Sequence, residues 1–100
     1  MRLDDTIAAI ATPMIPSGIG IIRVSGKGSI SIVARLFKGS SLKNVTSHRL
    51  IHGWIQDKGE LIDKVLVVVM RAPKSYTTED VVEIQCHGSP FVLRKILDLI

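Results

Sequence analysis

The feature that most constrains the fold is a pair of β-type runs joined by a tight-turn sequence. Residues 48–56 and 61–71 are rich in β-branched and aliphatic side chains, and the link between them reads Asp-Lys-Gly-Glu (57–60). A short glycine-containing link between two such runs is typical of a β-hairpin. Pro73 ends the second run because proline has no amide hydrogen for strand pairing. The sequence therefore predicts a long antiparallel hairpin.

The segment before this hairpin predicts two strands and a helix. Residues 6–12 are small and apolar, and Pro13 and Pro16 prevent a helix from continuing through them, so we expect a buried strand there. A loop over 13–18 then leads to a second strand over 20–25. Apolar residues at helical spacing predict a helix over 30–37, with Ser29 as its N-cap and Gly39 as its stop. A polar loop over 39–47 follows.

The segment after the hairpin predicts one more strand and one more helix. A loop over 72–79 leads to a strand over 80–86, and Gly88 ends it. Ser89 or Pro90 opens a helix that runs to Ile100. The order ββαβββα predicts an α+β fold with a mixed, largely antiparallel sheet and two helices packed on it. A natural domain rarely ends on an apolar helical residue, so we expect residues 1–100 to be one domain truncated at its C-terminal end.

The composition excludes several classes of protein. Hydrophobic residues make up 46% and charged residues 22%, which is typical of a globular domain. The longest apolar run, over 65–70, is too short to span a membrane, and Asp4 and Asp5 argue against a signal peptide. Cys86 is the only cysteine, which fits a reducing compartment. We therefore expect a cytoplasmic protein with no membrane contact, and we attribute its net charge of +4 to a solvated surface.

Nucleotide-binding loops are excluded by their spacing. Residues 20–28 superficially resemble a phosphate loop, but Ile21 stands where the first glycine is needed. Gly28 stands where a serine or threonine would bind magnesium. The dinucleotide fingerprint fails because Arg23 occupies the position of its third glycine. The chain therefore contains no GTPase motif, and we expect no catalytic residue within it.

A metal site is also not expected. His48 and His52 lie on a predicted strand, where four residues separate side chains by about 13 Å. Cys86 and His87 are adjacent on a strand and point to opposite faces. Structural or surface histidines explain these residues better than metal ligands do.

The strand that carries the most information about function is the one before Gly88. Alternation places Glu83, Gln85 and His87 on one face, and the even-numbered residues 82–86 on a core face. If the polar face meets a cavity, a carboxylate there accepts two hydrogen bonds from an aminopyrimidine edge, and the amide and imidazole orient the ring. The alternative is a polar face that simply meets water.

Arg23 poses a similar choice, because it interrupts an apolar strand and shares a face with Ile19 and Ile21. A guanidinium in that position must extend to water, pair with an acid, or bind an anion. Glu83 is an available partner. A purely structural ion pair and a ligand contact both remain open.

Two segments carry a family resemblance. The first reads DTIAAIATP (5–13) followed by GIGIIRVSG (18–26), and the second reads APKSYTTEDVVEIQCHG (72–88). In this order they resemble the MnmE/TrmE family of tRNA-modification GTPases. The resemblance implies an N-terminal domain similar to the tetrahydrofolate-binding domain of glycine-cleavage aminomethyltransferase. It also implies homodimerisation and binding of 5-formyltetrahydrofolate or 5,10-methylenetetrahydrofolate. Helical and GTPase domains, with GTP, magnesium and potassium, would lie outside these residues.

The resemblance also implies partners and site residues. With the flavoprotein MnmG (GidA), members of the family modify carbon 5 of the wobble uridine in tRNA, using a one-carbon folate. By position, Arg23 and Glu83 match two folate contacts of the family, and Gln85 and His87 are weaker candidates. A third, basic contact would lie beyond residue 100.

Two alternatives to this function remain. One is an interaction module that does not bind a ligand, in which residues 65–70 form an unprotected edge strand that pairs with a second copy. The other is part of a folate-dependent enzyme that resembles an aminomethyltransferase. A Walker loop downstream would exclude the latter.

Overall fold

The computed structural model of the chain describes residues 5–12, 17–73 and 79–100, so most of the predicted loops over 13–18 and 72–79 lies outside the described residues. The described part contains six strands, two α-helices and a short 3-10 turn. The strands are β1 (Ile7–Ile10), β2 (Ser17–Ser25), β3 (Phe37–Gly39), β4 (Leu50–Asp57), β5 (Glu60–Met70) and β6 (Val81–Gly88); the helices are α1 (Ser29–Leu36) and α2 (Pro90–Leu99); the 3-10 turn is Leu42–Asn44.

The strands form one sheet in the order β1-β2-β6-β5-β4-β3. Every described strand pair is antiparallel, including the predicted β4–β5 hairpin. The α+β prediction with two helices is confirmed, and the sheet is more uniformly antiparallel than expected. The prediction that residues 65–70 form an edge strand is wrong, because β5 lies between β4 and β6 and pairs with both.

Both helices pack against the same face of the sheet. Alternating strand positions point into this layer, since side chains on a strand alternate between its two faces. The resulting core contains Ile22, Val24, Val33, Ile55, Val67, Val69, Val82, Ile84, Leu93 and Ile96. The opposite face, called here the open face, is not covered by any described helix. Its side chains come from the other strand positions and include Ile19, Ile21, Arg23, Leu50, His52, Trp54, Lys64, Leu66, Val68, Glu83, Gln85 and His87.

Two predictions at the N-terminal end need correction. β1 is a strand as predicted, but it is an edge strand with Ile7 and Ala9 exposed rather than a buried one. The N-cap of α1 is Gly28, and Ser29 is already helical. The Ser29 hydroxyl is buried and donates a hydrogen bond to the carbonyl oxygen of Asp80 at 3.1 Å. That remote bond uses the hydroxyl that would otherwise cap the helix.

α1 also ends one residue earlier than predicted, because Phe37 has extended backbone angles and begins β3. β3 pairs with β4 inside the segment predicted to be a polar loop. The Phe37 ring lies against Gly39 and Gly53, which face each other across these strands. A Cβ atom on Gly53 would lie 2.2 Å from Cζ of this ring. The absence of side chains at two paired positions thus makes room for the ring.

The rest of the predicted polar loop is held by Arg71, the first residue after β5. Arg71 Nη2 donates hydrogen bonds to the carbonyl oxygens of Leu42, Lys43 and Val45, at 3.4, 3.1 and 3.0 Å. Carbonyl groups at the end of a single helical turn lack helical partners. The guanidinium supplies those donors, which explains a 3-10 turn in a segment with little helical signal.

β2 begins at Ser17, three residues before the predicted start and inside the predicted loop over 13–18, because Ser17 and Ile19 pair with Gly88 and His87 of β6. The remaining elements agree with the sequence within two residues. β5 and β6 match the predicted strands over 61–71 and 80–86, and Ser89 caps α2 by accepting a hydrogen bond from the Val92 amide. β4 begins at Leu50 rather than at His48, which has a positive φ of 64°. No helix in the described ranges is long and apolar enough to cross a membrane.

Candidate functional site

Arg23 and Glu83 face each other across β2 and β6 on the open face of the sheet. Arg23 donates two hydrogen bonds to Oε2 of Glu83, from Nε at 3.3 Å and from Nη2 at 3.0 Å. Glu83 is only 7% exposed, whereas the Arg23 side chain reaches the surface. Of the choices open to Arg23, the structure therefore shows pairing with an acid.

The Glu83 carboxylate keeps capacity for further hydrogen bonds. Both bonds from Arg23 end on Oε2, and Oε1 accepts none from the residues that the structure describes. An ionised carboxylate offers about four acceptor sites on its two oxygens. A ligand that donates two parallel hydrogen bonds can thus be accommodated while the ion pair stays in place.

A hollow of about 240 Å³ lies next to this pair on the sheet. The ladder between β5 and β6 ends at the pair Leu66–Gln85, although both strands continue beyond it. The hollow forms around this separation. Its walls come from four strands and consist of Gly18, Ile19, His52, Lys64, Val65, Leu66, Gln85, Cys86 and His87.

The predicted site residues are therefore divided between two neighbouring places. Gln85 and His87 line the hollow. Arg23 and Glu83 do not line it, because they lie one strand repeat further along the sheet. Solvent exposure increases along the polar face of β6, from the buried Glu83 through the half-buried Gln85 to the exposed His87. The alternative of a polar face that simply meets water is wrong for Glu83, because Arg23 and the neighbouring strands cover it.

His87 is held by a carboxylate that the sequence reasoning missed. Asp63 Oδ2 accepts a hydrogen bond from the His87 backbone amide at 2.9 Å, and Oδ1 lies 2.6 Å from Nδ1 of the ring. Asp63 is buried, whereas the His87 side chain is 70% exposed. With Nδ1 engaged, Nε2 is the ring nitrogen left for other partners. The sequence could have indicated this contact. Asp63 alternates onto the same face of β5 as the buried valines, and a charged group buried there needs a partner.

Cys86 forms part of the wall of the hollow and is largely buried. Its thiol donates a weak hydrogen bond to the carbonyl oxygen of Gly20, with Sγ 3.5 Å from that oxygen. Burial, and to a smaller extent the charge of Asp63, raises the pKa of the Cys86 thiol from 9.0 to about 11. At neutral pH the group is a thiol rather than a reactive thiolate. Cys86 therefore acts as a small core residue.

The histidines do not form a metal-ligand cluster within the described ranges. Among residues 5–12, 17–73 and 79–100, no group of three histidine, cysteine, aspartate or glutamate side chains could hold a metal ion. His48 is engaged with its neighbour, since its Nδ1 lies 2.9 Å from the Ser47 hydroxyl. His52 lies in the wall of the hollow.

Comparison with known proteins gives a consistent result. Residues 6–100 match the family model described as "GTP-binding protein TrmE N-terminus". The protein named tRNA modification GTPase MnmE from Moorella thermoacetica is 54% identical over 103 residues, covering 98% of this chain and 22% of the relative. The protein of the same name from Streptococcus mutans is 49% identical over 96 residues, covering 96% of this chain and 21% of the relative. The chain thus spans about a fifth of the length of these curated relatives.

Proposed function

The chain belongs to the TrmE N-terminal family, and from this premise we propose that residues 1–100 form a domain that binds a one-carbon tetrahydrofolate and mediates homodimerisation. In the longer protein this domain serves a GTPase that modifies carbon 5 of the wobble uridine in tRNA, together with the flavoprotein MnmG. GTP, magnesium and potassium bind outside these residues. The protein works in the cytoplasm, and this chain supplies binding rather than catalysis.

The observation that carries folate binding is the Arg23–Glu83 pair with its remaining acceptor, Oε1. The aminopyrimidine edge of a reduced pteridine presents an amine and a ring N–H side by side. A carboxylate accepts such a pair of donors in parallel. Because Arg23 fixes Glu83 through Oε2, the carboxylate is oriented before ligand arrives, and less ordering entropy is lost on binding. Arg23 itself can donate to a carbonyl of the ligand or to its formyl group.

Dimerisation is supported by the apolar side chains of the open face. Ile19 is 60% exposed, Leu50 57% and Trp54 37%, all on the face that no described helix covers. Apolar side chains grouped on one surface commonly mark an interaction site. A second copy placed on this face would bury them. Pairing through residues 65–70 is not proposed, because β5 is already paired on both sides.

A second candidate is the interaction module without a ligand, and the same exposed apolar side chains favour it. It predicts a dimer that has no affinity for folate. The aminomethyltransferase alternative gains no support, since the relatives described above are named as GTPases.

The experiment that tests folate binding is isothermal titration of the chain with 5-formyltetrahydrofolate. We expect Arg23→Ala and Glu83→Ala each to raise Kd about ten-fold or more, because each removes a charged hydrogen-bonding group. Arg94→Ala and Glu60→Ala are matched controls, since Arg94 is exposed on α2 and Glu60 is exposed at the hairpin turn. Unchanged affinity in both site variants would refute the assignment.

Sedimentation of the wild-type chain and of Ile19→Glu and Leu50→Glu variants tests the dimer. We expect the wild type to sediment as a dimer and both variants as monomers. A wild-type dimer that shows no heat of folate binding would favour the interaction module. A wild-type monomer would contradict dimerisation through this face.

A further inference from the structure

A second hollow, of about 310 Å³, lies between α1 and the 3-10 turn, beside the edge strand β3. Ser31, Ala34 and Arg35 contribute one face of α1, since residues three and four apart are neighbours on a helix surface. The other walls come from the segment after the helix and are Phe37, Gly39, Ser40, Ser41, Leu42 and Lys43. This second hollow shares no wall residue with the hollow between β5 and β6.

The polar groups around the second hollow are cations and hydroxyls. Its charged wall residues are Arg35 and Lys43, and Ser31, Ser40 and Ser41 add exposed hydroxyl groups. A guanidinium and an ammonium can only donate hydrogen bonds, and a hydroxyl can donate one. Such a set of donors suits an anion with several acceptor oxygens, such as a phosphate.

Both cations are available to a ligand. Neither the Arg35 nor the Lys43 side chain takes part in an ion pair among residues 5–12, 17–73 and 79–100. The acidic residue on the neighbouring strand β4, Asp57, does not line the second hollow. The carbonyl oxygens of Leu42 and Lys43, which would repel an anion, accept hydrogen bonds from Arg71. The electrostatic environment of the second hollow therefore favours negative charge.

The second hollow also lies within a long segment that has no acidic residue. Residues 6–56 contain six basic residues and no aspartate or glutamate, whereas the rest of the chain has nine acidic and seven basic residues. The net charge of +4 thus arises from the segment that forms the second hollow. Charge of one sign gathered in one region raises the local concentration of an oppositely charged ligand.

We propose that the second hollow is a phosphate-binding site, in which Arg35 and Lys43 hold the anion and Ser40 and Ser41 donate hydrogen bonds to it. The guanidinium can bind two phosphate oxygens at once, whereas the ammonium acts as a point charge. Since a cavity of about 150 Å³ accommodates benzene, there is room for the phosphate and for part of the molecule that carries it. That molecule is either a free phosphate compound or an RNA, whose backbone presents the same phosphate oxygens.

The first test titrates the ¹⁵N-labelled chain with inorganic phosphate at an ionic strength held constant with sodium chloride. We expect saturable changes in the backbone amide resonances of Ser40, Ser41 and Lys43 at millimolar phosphate. Arg35→Gln and Lys43→Gln should each weaken binding about three- to five-fold, the upper range for an exposed charge pair. The matched control is Lys95→Gln, an exposed lysine on α2 that should leave the affinity unchanged.

Two outcomes of this titration would overturn the proposal. One is the absence of saturable changes at these resonances with phosphate and with the RNA used below, which is what a merely solvated surface predicts. The other is equal affinity in the wild type and in both site variants. Because Arg35 and Lys43 lie outside the proposed folate contacts, neither outcome depends on whether the chain binds folate.

The second test distinguishes the two sources of phosphate. A fluorescein-labelled oligouridylate is titrated with the chain at several salt concentrations, and its anisotropy gives Kd. If the RNA backbone is the ligand, the RNA changes the same amide resonances, and the slope of log Kd against log salt falls by about one in Arg35→Gln. If inorganic phosphate changes these resonances and the RNA does not, the ligand is a free phosphate compound. Either result supports a phosphate site at the second hollow.

Discussion

Asp63 binds His87 through both of its carboxylate oxygens, one to the backbone amide at 2.9 Å and one facing the ring nitrogen Nδ1 at 2.6 Å. This contact spans the place where the β5–β6 ladder has ended. It therefore links β5 and β6 in place of ladder hydrogen bonds, at the point where the two strands separate and the hollow forms. Both the stability of that end of the sheet and the shape of the hollow depend on it.

Replacement of Asp63 should lower the free energy of unfolding more than replacement of His87 does. Asp63→Ala leaves the amide of His87 without its acceptor, which costs about 2 kcal/mol. His87→Ala removes only the contact of an exposed ring, which costs less than about 1 kcal/mol. Urea unfolding followed by circular dichroism measures both, with Glu60→Ala as an exposed acidic control. Equal losses in the two variants would mean that the amide bond contributes little.

Substitutions at Arg23 and at Glu83 should have strongly coupled effects on the free energy of unfolding. Arg23→Met leaves a buried carboxylate without its cation and should cost about 1–3 kcal/mol. Adding Glu83→Gln should recover part of this loss, because a neutral amide is less costly to bury than a charge. A double-mutant cycle on the unfolding free energies measures the coupling. Simple additivity of the two single losses would show that the pair does not stabilise the fold.

Gly53 should be intolerant of any side chain. In Gly53→Ala the new Cβ would lie 2.2 Å from Cζ of Phe37 and 2.6 Å from the carbonyl oxygen of Lys38, which should cost about 2 kcal/mol or more. Phe37→Leu should rescue only part of this loss, because the contact with the backbone oxygen remains. Gly18→Ala is the control, because its Cβ would meet nothing within 4 Å. It should change the free energy of unfolding, measured by thermal or urea unfolding, by less than about 0.5 kcal/mol.

Cys86 should make stability fall at alkaline pH. Its folded pKa of about 11 lies above the ordinary 9.0, so the folded state holds the proton more tightly than the unfolded state. The associated stabilisation is complete below pH 9 and is lost as pH rises from about 9 to 11, by roughly 2 kcal/mol. Unfolding of wild type and Cys86→Ala between pH 8 and 11 isolates this effect, since lysine titration is common to both. A constant difference between the two proteins would contradict the raised pKa.

The elements of the fold could largely be predicted because they depend on local pattern. The turn at 57–60 and the alternation on both sides of it specify the hairpin, and Ser89 followed by Pro90 specifies the start of α2. The short strand β3 and the 3-10 turn could not be predicted. They depend on Phe37 packing against two glycines and on Arg71 reaching back to three carbonyl groups, and neither contact leaves a periodic signal.

By itself, the sequence determined which residues of each strand share a face, because side-chain direction alternates strictly along an extended backbone. It thereby placed Glu83, Gln85 and His87 in one row, and Arg23 in one row with Ile19 and Ile21. Only the tertiary structure decided that β6 inserts between β2 and β5, which sets Arg23 opposite Glu83 and leaves β5 without a free edge. Pairing between strands remote in the chain is chosen by the burial of whole faces against the helices, a property of the assembled sheet that no single segment encodes.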